Sequence, residues 1–173
     1  MVRVRRARVG DGVVVLNGQG LVMEGELLVA DPRQALVRVT GIKEVSTERP
    51  LFKLAVGMPK GRAVDTVVRQ ATELGVAEIH FLVTDRSEVP AKVLGSVEKL
   101  TKWKRVSIEA SKQSENAFLP EINVGRTLQD WLQGFVELGT HFVACPERSG
   151  KICRFCELQD EQESVWLLAG PEG

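Results

Sequence analysis

Residues 51–83, LFKLAVGMPKGRAVDTVVRQATELGVAEIHFLV, read as a strand, a helix and a second strand. Leu51 to Val56 forms the first strand, and Met58-Pro59-Lys60-Gly61 turns the chain. Val64, Val67, Val68, Ala71 and Leu74 then recur at helical spacing, and Gly75 falls where a helix ends on a left-handed residue. Ile79 to Val83 is an apolar strand. This order predicts a β-α-β unit with parallel strands.

The pattern continues toward the C-terminus. A long amphipathic helix is expected from about Val93 to Ser114, with Val97, Leu100, Trp103 and Ile108 on one side. Thr127 is the expected cap of another helix, with Asp130 in its first turn and Leu128, Trp131, Leu132 and Phe135 turned inward. His141 to Ala144 and Val165 to Ala169 are the last strands. Strands alternating with helices imply an α/β domain, a mostly parallel sheet covered on both faces.

Toward the N-terminus the elements shorten. Val2, Val4 and Val9 bracket the arginines of a first strand, and Gly10-Asp11-Gly12 is a turn. Val13 to Leu16, Leu21 to Ala30 and Ala35 to Val39 are further strands, with Asn17-Gly18 a hairpin signal and Asp31-Pro32 a break. Four short strands predict a small β-barrel or curled sheet. The polar stretch Ser46-Thr47-Glu48-Arg49-Pro50 reads as the linker. The expected domains are therefore residues 1–46 and 51–173.

The 173 residues carry 23 basic and 23 acidic side chains, so the whole-chain charge does not announce a nucleic-acid binder. The distribution is uneven: Arg3, Arg5, Arg6 and Arg8 crowd the first strand, and Lys99, Lys102, Lys104, Arg105 and Lys112 crowd the long helix. Local basic patches suit either solvated faces or a phosphate-backbone footprint. No apolar run approaches a membrane span and no leader pattern opens the chain, so no membrane partner and a cytoplasmic location are expected. Cys145, Cys153 and Cys156 do not make a disulfide framework. With His141 nearby a zinc site is conceivable, but free thiols and no metal are the expectation.

Dinucleotide and Walker glycine patterns are absent, and His80 and His141 both fall inside predicted strands, as core or edge residues rather than bases. The feature that remains is Gly170-Pro171-Glu172-Gly173, which follows an apolar strand directly. Glycines at a strand's carboxyl end permit close backbone approach to a ligand, and parallel sheets bind ligands at that edge. Cys145-Pro146-Glu147 offers a second such loop.

In order and spacing, KGRAVDTVVRQATELG over 60–75, then VAEIHFLVTDRS, RVSIEASKQS, LPEI and LLAGPEG resemble the RsmE-type 16S ribosomal RNA (uracil-N3)-methyltransferases of the SPOUT superfamily. The opening VRVRRARVGDGVVVLNGQG is similar to that family's PUA-like barrel, an RNA-binding module. The resemblance implies a SPOUT (trefoil-knot) methyltransferase domain, S-adenosylmethionine as cofactor, a homodimer, and methylation of a uridine at N3 in small-subunit ribosomal RNA. It places Leu168, Gly170, Glu172 and Gly173 in the cofactor loop, with Pro146 and Glu147 on the adenosine side. Arg86 and Ser87 match the loop after the second strand; Glu109, Gln113 and Ser114 match an E-A-x-x-Q-S segment. RNA contacts are expected from Arg3, Arg5, Arg6, Arg86, Lys112 and Gln113.

Two departures stand out. The E-A-x-x-Q-S segment continues in the family with Gly-Arg, but here with Glu115-Asn116, removing a bidentate phosphate partner. The family also continues past the position of Gly173, so the domain is expected to be truncated before the knot closes.

Uracil N3 carries a proton and needs a general base or water relay. Glu109, Glu172 and Asp85 are the carboxylate candidates, with a salt-bridge role for Glu109 equally open. The competing readings are a non-catalytic RNA-binding or ribosome-associated protein, and a different α/β transferase of small molecules.

Overall fold

The computed structural model describes residues 7–31, 33–47, 50–85, 96–135, 140–144 and 164–170. The chain divides into two compact units, Met1–Thr47 and Glu48–Gly173.

Among the described residues unit one has a three-stranded antiparallel sheet in the order β1-β2-β3: β1 Gly12–Leu16, β2 Leu21–Val29 and β3 Leu36–Glu44; the strand expected around Arg3, Arg5 and Arg6 falls mostly outside them. The Asn17-Gly18 signal does mark the β1–β2 hairpin. The Asn17 carboxamide oxygen accepts from the Gln19 and Leu21 amides at 2.7 and 3.0 Å, a turn-forming use of the side chain. Asp31 caps the next turn likewise, accepting from Arg33 and Gln34. Strand β3 runs to Glu44, past the Val39 expected. The register shifts from Glu24↔Gly41 to Gly25↔Val39, a bulge that bends the strand without ending it.

Gly25 is demanded by that bulge. A Cβ there would strike the carbonyl oxygen of Arg38 and stand 2.7 Å from Val37 Cγ1. Backbone cannot step aside as a side-chain tip can, so Gly25→Ala is expected to lower unit-one stability by about 2 kcal/mol. Urea titration followed by hydrogen exchange of β2 and β3 amides checks this; unchanged protection would refute it.

Unit two is a five-stranded parallel sheet, β6-β5-β4-β8-β7. Its elements are β4 Leu51–Gly57, α1 Ala63–Glu73, β5 Glu78–Val83, α2 Val97–Ser114, β6 Glu121–Thr127, α3 Leu128–Phe135, β7 Thr140–Ala144 and β8 Ser164–Ala169. Helix α1 ends as the sequence requires. Gly75 has φ +77°, its amide donates to Thr72 O, and the Val76 amide donates to Ala71 O. That pair of bonds satisfies carbonyls the last turn would otherwise leave open.

One face of the sheet packs α1 and α2: Val56, Ile79 and Phe81 of the strands meet Val64, Val68 and Ala71 of α1 and Trp103 of α2. Of the residues expected on the inward side of α2, Trp103 is buried and Leu100 packs against the core, but Val97 and Ile108 do not turn inward. Trp103, Ser107, Ala110 and Ser111 are buried, whereas Val97 is 79% and Ile108 39% exposed. Small residues let the helix approach closely but carry little apolar signal. The other face is covered by α3, whose Trp131 is fully buried against Ala55, Leu82 and Trp166. Thr127 caps α3, accepting from the Asp130 amide at 3.0 Å and donating to its carboxylate. Leu128 and Leu132, expected inward, are partly exposed.

Strand β6 has no counterpart in the sequence reading. It is an edge strand of modest apolarity, broken at Gly125 with φ +92°. At the end of α2, Glu115 holds a left-handed φ of 56°. This is the position where the resembling family has glycine. A side chain there costs roughly 1 kcal/mol, so Glu115→Gly is expected to raise the thermal midpoint by about 3 °C, read by calorimetry. A fall in the midpoint would mean the Glu115 side chain contributes more than its backbone costs.

Candidate functional site

Strands β4, β5 and β6 step across the sheet in one direction, while β8 and β7 lie on the opposite side of β4. The chain thus crosses the sheet between β6 and β7 and returns so that β8 sits beside β4, and in a parallel α/β sheet ligands bind outside the carboxyl ends of the strands. The pairing Val56↔Ala169 brings Gly57 and Gly170 to the same edge. Met58 is anchored there by its amide, which donates to Leu82 O at 2.8 Å, and its side chain is buried. Gly61 holds φ +57° just before α1. At Gly170 a built Cβ meets no described atom within 4 Å. Leu168 lies one turn of the pleat behind, packed against the Trp131–Trp166 cluster. Ala144 pairs with Ala169 and ends β7 on this edge. Among the described residues no cluster of His, Cys, Asp and Glu could hold a metal ion.

The edge is thus built from backbone and apolar side chains. Such a surface suits a flat, neutral heterocycle, which hydrogen-bonds backbone amides and carbonyls and packs on aliphatic carbon. Leu168 and Gly170, two of the expected cofactor residues, are brought to it. Pro146, Glu147, Glu172 and Gly173 lie outside the described residues, as do Arg3, Arg5, Arg6, Arg86, Ser87 and all three cysteines.

The carboxylate candidates separate. Asp85 follows β5 at the carboxyl edge and is exposed. Glu109 is about 18 Å along α2 from Val97, because a helix rises 1.5 Å per residue and α2 runs toward the opposite edge of the sheet. Its carboxylate accepts from Lys112 Nζ at 2.7 Å, and this neighbour holds its pKa below the usual carboxylate value. A carboxylate tuned that way is a poorer proton acceptor.

Glu109 and Gln113 instead line an open groove of ≈ 980 Å³ between α1 and α2, with Arg69, Lys102 and Arg105. Lys102 is engaged by Asp65 at 2.6 Å, closing the two helices together. Asn116, where the resembling family has arginine, works structurally: its amide donates to Thr72 O at 3.0 Å and its oxygen accepts from the Phe118 amide. Sequence reasoning did not find the β4 contribution at Gly57–Met58. The residues are visible in the chain, but only the strand order shows that β4 borders β8.

Fold and edge together define an α/β protein with a parallel sheet whose β4 and β8 carboxyl ends lie side by side, joined to a small antiparallel β unit. The chain belongs to the RNA methyltransferase family: the family model described as RNA methyltransferase domain matches residues 47–173, and that described as RNA methyltransferase PUA domain matches residues 1–40. Among similar proteins is ribosomal RNA small subunit methyltransferase E of Synechocystis, 29% identical over 99% of this chain and 55% of that relative. Another is ribosomal RNA small subunit methyltransferase E 2 of Borreliella burgdorferi, 29% identical over 100% of this chain and 70% of the relative. The chain thus spans between about half and two thirds of these relatives' lengths. A Neisseria gonorrhoeae ribosomal RNA small subunit methyltransferase E, solved bound to S-adenosyl methionine, superposes with a TM-score of 0.80 at 20% identity, covering 98% of this chain and 69% of that one. A Legionella pneumophila methyltransferase solved with bound SAM gives 0.78 at 24% identity, over 99% and 70%. These two likenesses carry the fold. No helix among the described residues is long and apolar enough to cross a membrane.

Proposed function

We propose that the chain is an S-adenosylmethionine-dependent methyltransferase acting on N3 of a uridine in 16S ribosomal RNA, in the cytoplasm and as a homodimer. The observation that carries this reading is the match of the RNA methyltransferase domain to the unit whose β4 and β8 carboxyl ends bring Gly57 and Gly170 to one edge. In this reading residues 1–46 are a PUA-like RNA-binding domain and residues 51–173 a SPOUT domain, with the chain after β8 running into a trefoil knot.

When bound, the cofactor supplies an electrophilic methyl group on a sulfonium. Leu168 would pack the adenosine, and the backbone at Gly170, with Glu172, Gly173, Pro146 and Glu147, would surround it. The chain's work is then alignment of uracil N3 with the methyl group, which can account for much of the rate without charged catalysts. N3 must lose its proton, and Asp85 is the described carboxylate on the correct edge to receive it, directly or through water. Arg3, Arg5, Arg6, Arg86, Lys112 and Gln113 would hold the RNA, and the target base must leave its stack.

Titration calorimetry of the full chain with S-adenosylmethionine tests the cofactor site. Transfer of labelled methyl to small-subunit RNA, followed by nucleoside analysis, tests the reaction, with N3-methyluridine the expected product. RNA binding without cofactor binding would overturn the enzymatic reading in favour of a binding module.

A further inference from the structure

His80 is 5% exposed and has no place at the strand edge described above. Trp131 Nε1 donates to His80 Nδ1 at 2.9 Å. An indole N–H can only donate, so Nδ1 presents its lone pair and a neutral ring carries its proton on Nε2. Glu78 Oε2 lies 3.1 Å from that nitrogen, placed to accept. Asn123 Nδ2 approaches the same nitrogen at 3.2 Å and donates to Glu121 Oε1, also at 3.2 Å, which leaves Glu78 as the acceptor for the Nε2 proton. The imidazole stands edge-on to Trp166, with ring centres 4.8 Å apart, and to Trp131 at 6.3 Å.

The charges around the ring are nearly balanced while it stays neutral. Lys53 of β4 holds the other Glu78 oxygen at 2.7 Å and lies 5.4 Å over the Trp166 ring. A proton added to His80 would leave this half-buried group net positive. From β6, Arg126 opposes that proton and Glu121 favours it. Burial pushes the histidine pKa below its ordinary 6.5, against the pull of the Glu78 hydrogen bond and charge.

We infer that His80 is a proton-gated latch for α3: neutral, it accepts the Trp131 indole proton and seats helix Leu128–Phe135 on the sheet; protonated at Nδ1, it sets N–H against N–H and releases the helix. The sign follows from proton binding. The unfolded chain takes up a proton near pH 6.5 that the native ring refuses, so the latch contributes fully above that pH. Its contribution shrinks as pH falls below 6.5 toward the native pKa.

The chain has one other histidine, His141, the register partner of Trp166 on β7, and the test separates the two. Nitrogen-resolved NMR of imidazoles in the full chain is run from pH 8 to 5 beside tryptophan fluorescence, with His80→Gln assigning the signals. We expect His80 as the Nε2–H form at pH 8, titrating below 6.5, with a fluorescence step at the same midpoint. Glutamine keeps an acceptor but takes up no proton, so His80→Gln should abolish the step. Trp131→Phe removes the donor and should raise the His80 midpoint. An Nδ1–H form at pH 8, a step that survives in His80→Gln, or a midpoint unmoved by Trp131→Phe would each overturn the latch. If His80→Gln does not fold, the wild-type protonation pattern and the Trp131→Phe shift still decide.

Discussion

Trp131→Ala is expected to remove most of the cooperative stability of unit two. The side chain is fully buried between the sheet and α3, and truncating such a residue costs about 3–5 kcal/mol through lost burial and the cavity left behind. The substitution also removes the hydrogen bond that Trp131 Nε1 donates to His80 Nδ1. Domains of this size have roughly 5–15 kcal/mol in hand, so the variant should melt at least 10 °C lower or show no cooperative transition. Trp131→Phe, which keeps an aromatic ring but loses the indole N–H and part of the buried volume, should fall short of that. All three tryptophans, Trp103, Trp131 and Trp166, lie in unit two, so their emission reports on it alone. A midpoint for Trp131→Ala within 3 °C of wild type would contradict this account of the core.

Gly170→Leu should behave in the opposite way, leaving stability nearly unchanged and abolishing S-adenosylmethionine binding. No described atom lies within 4 Å of a Cβ at this position, so the new side chain meets none of the described part of its unit. It would instead fill the space in which the ligand must approach the backbone. A loss of affinity of at least 100-fold is expected by titration calorimetry, with the thermal midpoint shifted by less than about 3 °C. Undiminished binding would move the cofactor away from the β4–β8 edge. A large fall in the midpoint would show that Gly170 has a structural role instead.

The sequence made plain whatever depended on local chemistry. The 51–83 unit is legible because apolar strands flank a helix with a clear inward stripe and Gly75 ends it. Thr127 and Asp130 announce the start of α3, and Asn17-Gly18 the first hairpin. Strand β6 escaped because Ile122 and Val124 alternate with Glu121 and Asn123 for only a few residues before Gly125 breaks the run. On α2 the sequence showed Trp103 and Leu100 but not Ser107, Ala110 and Ser111, which are selected by close approach rather than hydrophobicity. The place of Gly170 at the carboxyl edge of the sheet could be read from a glycine following an apolar strand. The distance of Glu109 from that edge could not, since it depends on the direction in which α2 crosses the sheet. His80 read only as a core or edge histidine, because the donor that fixes its protonation lies 51 positions away in Trp131.

The place of β8 inside the sheet has a consequence for synthesis. Leu51 pairs with Ser164, 113 positions later, and β8 must slot between two strands already made. At roughly 5–20 residues per second on the ribosome, β4 waits about 6–23 s with one edge unpaired. Such an edge invites pairing with other nascent chains, so this protein should depend on chaperone capacity during translation far more than its finished stability would suggest.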